Sequence, residues 1–177
     1  MQDDILKDPE LKEVVDDFCQ ETTELFEQLE EILEELEDDP SKSEKLERFG
    51  QIIDRVMGAA KSIGLTEIGA FCELGKTIGY KSSQVPDMAL REVVVAVLFD
   101  ALDILGKQLQ SLKNGDIEGM KKLNTDAFAT RMKWLSSKFK NVQRASCVHE
   151  NQKEIEKEED EVQTQNEIDT LMKNLGF

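Results

Sequence analysis

Between Phe49 and Leu65 the chain reads FGQIIDRVMGAAKSIGL, and Phe49, Ile52, Ile53, Val56, Ala60 and Ile63 recur there at spacings of three and four. That period makes one apolar face of a helix; a half-buried strand would alternate instead. The other face carries Gln51, Asp54, Arg55, Gly58 and Lys61. Gly58 is out of place on it, since glycine weakens a helix interior by roughly 1 kcal/mol relative to alanine. Three explanations compete: a partner's backbone comes close, a neighbouring helix does, or the surface tolerates the glycine.

The same period runs on both sides of this segment. Asp8-Pro9 reads as an N-cap followed by proline in the first helical turn. From Glu10 to Glu37 the residues Leu11, Val14, Val15, Phe18, Leu25, Leu29, Ile32, Leu33 and Leu36 form a stripe that Asp38-Asp39-Pro40 stops. Such a helix is roughly 40 Å long. Ser41-x-x-Glu44 reads as a capping box opening the central helix, which Gly64 ends. Thr66 is expected to cap a third helix, Glu67 to Tyr80, with Ile68, Phe71, Cys72, Gly75 and Ile78 inward and Lys81-Ser82-Ser83-Gln84 as the following loop. Pro86-Asp87 starts a fourth helix to Leu112, apolar through Val93, Val94, Val97, Leu98, Ala101, Leu105 and Leu109. Val93-Val94-Val95 alone favours a strand, but the length and period of the segment outweigh it. After the turn Asn114-Gly115-Asp116 comes a fifth helix, Ile117 to Val142, offering Met120, Leu123, Phe128, Met132, Leu135 and Phe139 to a core. The fold class is all-α: an antiparallel four-helix bundle with an additional helix over residues 8–142. Periodicity leaves open whether one chain completes the bundle or a homodimer shares it.

Charge narrows the partners. The 38 acidic residues outnumber 22 lysines and arginines, for a net charge of −16. That balance argues against nucleic acid and anionic membranes and favours a partner with a basic patch. No apolar run of about 18 residues is present to span a bilayer, and the acidic start MQDDILKDPE has no signal core, so a cytoplasmic protein is expected. Cys19 and Cys72 fall on apolar stripes and read as core, and Cys147 as a further reduced thiol. His149 is the one histidine. It stands in a polar stretch where nothing orients it, and reads as a bystander. There is no phosphate-binding glycine loop, Cys-x-x-Cys or His-Glu-x-x-His. No cofactor or metal is expected of this chain; any Mg2+ would belong to a partner.

Residues 143–166 lose the pattern and read as a disordered acidic linker. Apolarity then returns over residues 167–177, with Ile168, Leu171, Met172 and Leu175 at i, i+3, i+4 and i+7. So short a helix is unstable alone. It is expected to fold on a partner's groove, the alternative being that it docks on its own bundle.

The central segment resembles the phosphoacceptor helix of histidine-containing phosphotransfer (HPt) domains, which carry His-x-x-Lys-Gly and then a small-residue run ending in Gly-Leu. Here Gly58 and Gly64-Leu65 match, while Asp54 stands at the histidine position and Met57 at the lysine position. Phe18-Cys19-Gln20-Glu21 is similar to the Phe-x-x-Glu of the first HPt helix. The resemblance implies a pseudo-HPt scaffold that keeps the fold and loses the phosphoacceptor. Arg55, Gly58 and Lys61 would then belong to a partner-docking face.

The end of the chain resembles the C-terminal peptide of the chemotaxis phosphatase family CheZ, Asp-Gln-Val-Asp-x-Leu-Leu-x-x-Leu-Gly-Phe. Asn166-Glu167-Ile168-Asp169, Leu171-Met172 and Leu175-Gly176-Phe177 match it. The resemblance implies a tether for a CheY-type response regulator through Ile168, Asp169, Leu171, Met172, Leu175 and Phe177. It also implies hydrolysis of the regulator's aspartyl phosphate, for which that family uses Asp-x-x-x-Gln on one helix face. Here Gln51 and Asp54 are the candidate catalytic pair, three apart and in reverse order. Asp16-x-x-x-Gln20 fits the spacing on the first helix and ranks second. A chemotaxis-type phosphatase is the leading expectation, and a non-catalytic module that sequesters phosphorylated CheY is the alternative.

Overall fold

A computed structural model of the chain describes residues 9–123, 125–139 and 168–176. The bundle is built from α1 (Pro9–Asp38), α2 (Ser43–Ser62), α3 (Thr66–Ser83) and α4 (Met88–Lys113). They are followed by α5 (Ile117–Lys121) and α6 (Asp126–Phe139), and by α7, residues 168–174. Every regular element among the described residues is helical. No helix among them is long and apolar enough to cross a membrane.

The four long helices alternate in direction. Lys45 pairs with Glu35 at 2.8 Å and Arg55 with Glu21, which sets α2 antiparallel to α1. Lys113, at the end of α4, donates to Thr23 Oγ1 of α1 at 2.9 Å. Arg91, in the first turns of α4, donates to the carbonyls of Pro40 and Ser41 at the other end of α1. α2 and α3 pack as a hairpin whose close approach depends on a missing side chain. A Cβ on Gly79 would stand 3.2 Å from the Leu46 carbonyl oxygen of α2, tighter than ordinary packing allows.

The apolar stripes meet in one core containing Leu29, Leu33, Leu36, Leu46, Phe49, Ile53, Phe71, Ile78 and Leu98, all essentially inaccessible. α4 is buried on a wide arc because α1 and α3 cover one side while α5 and α6 lie against it too. α6 also reaches α3, where Phe128 stacks on Phe71 with ring centroids 5.0 Å apart. Cys19 and Cys72 are buried, as expected of core thiols.

Several local expectations change. α1 runs as expected, but Leu11 and Val14 are 43% and 44% exposed, because its first turns have one covered face and the core takes Val15 and Phe18 instead. The Ser41–Glu44 capping box does not form. The helix starts at Ser43 behind Lys42, without a side-chain cap, and the Ser41 hydroxyl donates to Asp39 Oδ1 at 2.6 Å. Thr66 is the first residue of α3, not its cap. Lys81-Ser82-Ser83 continues α3 instead of forming a loop, since buried Ser82 and the Arg91 bond to the Ser83 carbonyl hold that last turn. The fifth helix is two: α5 ends at Lys121 and α6 begins at Asp126. Other signals hold. Asp87 caps α4 by accepting from the Leu90 N–H at 3.1 Å. Gly64 takes a φ of 82° past the end of α2, letting the Leu65 N–H reach back to the Ala60 carbonyl at 2.9 Å.

Candidate functional site

The outward face of α2 is where the sequence placed a site. Its apolar stripe points into the core, so Gln51, Arg55, Gly58 and Lys61 are exposed and Asp54 is half-exposed. A Cβ built on Gly58 would meet nothing within 4 Å. The glycine is therefore not there to admit a neighbouring helix, which removes one of its three explanations and leaves an open spot on an exposed helix.

Around that spot the charged residues are joined across helices. Lys76 of α3 donates to Asp54 Oδ1 at 2.6 Å, Arg55 pairs with Glu21 of α1, and Lys61 pairs with Glu73 of α3 at 2.7 Å. Every one of these side chains is substantially solvated; that of Asp54 is 43% exposed. Exposed pairs of this kind contribute about 0–1 kcal/mol each, so a partner's charges can replace them at little loss. Gln51 Oε1 accepts from Arg48 at 3.4 Å, too long to fix the amide firmly. The structure thus brings Gln51, Asp54, Arg55, Gly58 and Lys61 onto one solvent-facing side of α2. Asp54 leans on α3, not into α6. Lys76 balances the Asp54 charge. Lys76, Glu73 and Glu21 were not legible, because periodicity gives the face of each helix and not the register between helices.

Asp54 presents a carboxylate engaged with Lys76. It offers no imidazole nitrogen, so transfer onto a histidine cannot occur at this position.

A second feature lies between α1 and the end of α4. Asp16, Cys19, Gln20, Thr23, Glu24 and Lys113 line an open cleft of about 390 Å³. It brings together the Asp16 and Gln20 that the sequence ranked second. Burial pushes the Cys19 thiol up to about 11, against the pull of Lys113, so it stays protonated at neutral pH and is a poor nucleophile.

The third feature is α7. Ile168, Leu171 and Met172 are 0%, 9% and 3% exposed and belong to the same buried cluster as the bundle, with Leu175 packed against it. Asp169 is half-buried, and Thr170, Lys173 and Asn174 face solvent. The tail residues read as a partner-binding peptide are thus docked on their own chain, the alternative left open above. Phe177, Cys147, His149 and the linker 143–166 lie outside the described residues. Among the described residues no group of three or more His, Cys, Asp or Glu is arranged to hold a metal ion.

A protein-family model described as Hpt domain matches residues 13–115, more than half of the chain. The match runs from the second turn of α1 to the turn after α4 and therefore includes the whole α2 face. No curated protein and no solved structure matches the chain.

Proposed function

The chain belongs to the Hpt domain family, and from that footing we propose that it docks the receiver domain of a CheY-type response regulator without taking up its phosphoryl group. Hpt domains act in two-component phosphorelays and interact with response regulators. What is particular to this chain is the combination on α2. The family's docking helix is retained with an open glycine at Gly58, while the acceptor position carries Asp54 held by Lys76 at 2.6 Å. That pairing is the observation that carries the reading. It supplies a near-neutral surface that an acidic receiver pocket can approach, and no histidine to receive the phosphoryl group. Arg55 and Lys61 flank Gly58 and offer cations that exchange their partners readily.

Hydrolysis is the second reading, and Gln51 favours it. Releasing phosphate from an aspartyl phosphate requires water held in line with phosphorus; the P–O bond to the carboxylate breaks as the bond to water forms. The protein's part is to orient that water, which a loosely held, exposed amide beside the docking spot can do. Gln20, in the cleft with Asp16, is the alternative amide.

The test is a regulator phosphorylated with labelled phosphate and mixed with the intact protein. Docking without transfer predicts a complex in which the chain itself stays unlabelled; label on the chain overturns it. Phosphate release decides the second reading in the same mixture. Acceleration that disappears in Gln51→Ala assigns the amide on α2, loss in Gln20→Ala moves the chemistry to the cleft, and no acceleration by the intact protein rejects hydrolysis.

A further inference from the structure

We infer that the outward face of α6 is a docking surface for an acidic segment of a partner protein, with Trp134 at its centre. Acidic residues make up 38 of the 177 in the chain, yet none stands between 127 and 149, where Arg131, Lys133, Lys138, Lys140 and Arg144 fall. α6 turns part of that stretch into a surface. Phe128, Met132, Leu135 and Phe139 join the core, which leaves Thr130, Arg131, Lys133, Trp134, Ser137 and Lys138 exposed. A lone exposed apolar side chain needs no explanation, but this indole is 45% exposed among cations. Arg131 stands three residues before it and Lys138 four after, so the three share one helix face. The Lys138 Nζ lies 5.1 Å from the ring centroid, a cation–π contact that steadies the ring and reduces the freedom lost when a partner covers it. Arg131 pairs with Asp100 of α4 across a solvated contact, which a partner's carboxylate can replace at little loss.

Charge complementarity selects the occupant. Carboxylates along an extended segment meet the cations, and an apolar side chain between them lies on the indole. The face is roughly 18 Å long, which about five or six extended residues span. A nucleic-acid strand or an anionic membrane would run past it over the rest of a chain of net charge −16 and be repelled there. A short segment feels mainly the charges within about 8 Å at physiological salt. A second copy of the chain offers exposed Glu27, Glu30, Glu31 and Glu34 on α1, but no exposed apolar side chain stands among them to cover the ring. α6 lies beyond residues 13–115, which the Hpt family model matches, so this surface is independent of the α2 face and of the role proposed for it.

The experiment titrates the full chain with a synthetic peptide of glutamates around a central leucine, and with its glutamine counterpart, at low and at physiological salt. Trp134 is the one tryptophan, so its emission reports this face alone, while anisotropy of a label on the peptide reports binding by the variants. A docking surface predicts an emission shift that saturates with the glutamate peptide and binding that weakens as salt rises. Affinity should fall by about tenfold or more in Trp134→Ala and in Lys133→Glu. Lys12→Glu, the same charge change at an exposed position of α1, should bind as the parent does. Absence of saturable binding overturns the inference, as does equal affinity for the glutamine peptide, or a loss in Lys12→Glu as large as that in Lys133→Glu. An emission shift that follows the concentration of the chain without peptide assigns the face to a second copy. A shift produced only by phosphatidylserine vesicles or by an oligonucleotide assigns it to a membrane or to nucleic acid. Each of these results overturns the acidic-segment assignment.

Discussion

A methyl group added to Gly58 and one added to Gly79 should act in opposite directions. At Gly58 nothing lies within 4 Å of the new carbon, so Gly58→Ala should stabilise the fold by about 0.5–1 kcal/mol through helix propensity and a less free unfolded chain. At Gly79 the carbon would press on the Leu46 carbonyl at 3.2 Å, a backbone atom that cannot swing aside. Overpacking of that kind costs about 1–3 kcal/mol and should outweigh the propensity gain, lowering the urea midpoint. The buried thiols give a pH dependence. Burial pushes Cys72 from 9.0 to about 12. The unfolded chain therefore releases this proton first, and stability falls as pH rises past 9.0 toward the folded value. Urea titrations across that window should show Cys72→Ala losing less stability than the parent.

At the scale of elements, Arg91 ties together three chain ends. Its guanidinium donates to the carbonyls of Pro40 and Ser41 at 3.3 Å and of Ser83 at 3.5 Å, joining the α1–α2 link, the last turn of α3 and the start of α4. Arg91→Met should lower the urea midpoint by the equivalent of about 1 kcal/mol or less, because it strands the part-buried Pro40 and Ser83 carbonyls while removing a buried, unpartnered Nε. This clamp also shows where reading the sequence stops. The apolar stripes placed α1, α2, α3 and α4 and their inward faces, because a helix's burial repeats with its own period. The end of α3 is misplaced at Lys81, since Ser82, a polar residue that reads as loop, is buried in the fold and keeps that turn helical. The gap between α5 and α6 was missed because Met120 and Phe128 are both buried and so keep the stripe in phase across it. The candidate residues of α2 were legible as one face; their ion pairs with Glu21, Glu73 and Lys76 were not, because register between helices leaves no mark on any one helix.

For the whole molecule, the net charge and the local charge of the α2 face differ. A chain of net charge −16 repels nucleic acid and seeks basic surface, yet its α2 face is evened out by cross-helix pairs and can meet the acidic rim of a receiver pocket. The apolar face of α7 is taken up by the chain's own core. On the proposed reading the α2 face carries the contact with the receiver. Gly106 supplies the control for that contact, because it lies in α4, away from this face, and also has nothing within 4 Å of an added carbon. The decisive measurement is titration of a phosphorylated CheY-type receiver with Gly58→Arg and Gly106→Arg full-length proteins. Binding should weaken by about tenfold or more, some 1.4 kcal/mol, in Gly58→Arg and stay at the parent value in Gly106→Arg; parent affinity in Gly58→Arg would contradict a docking role for this face.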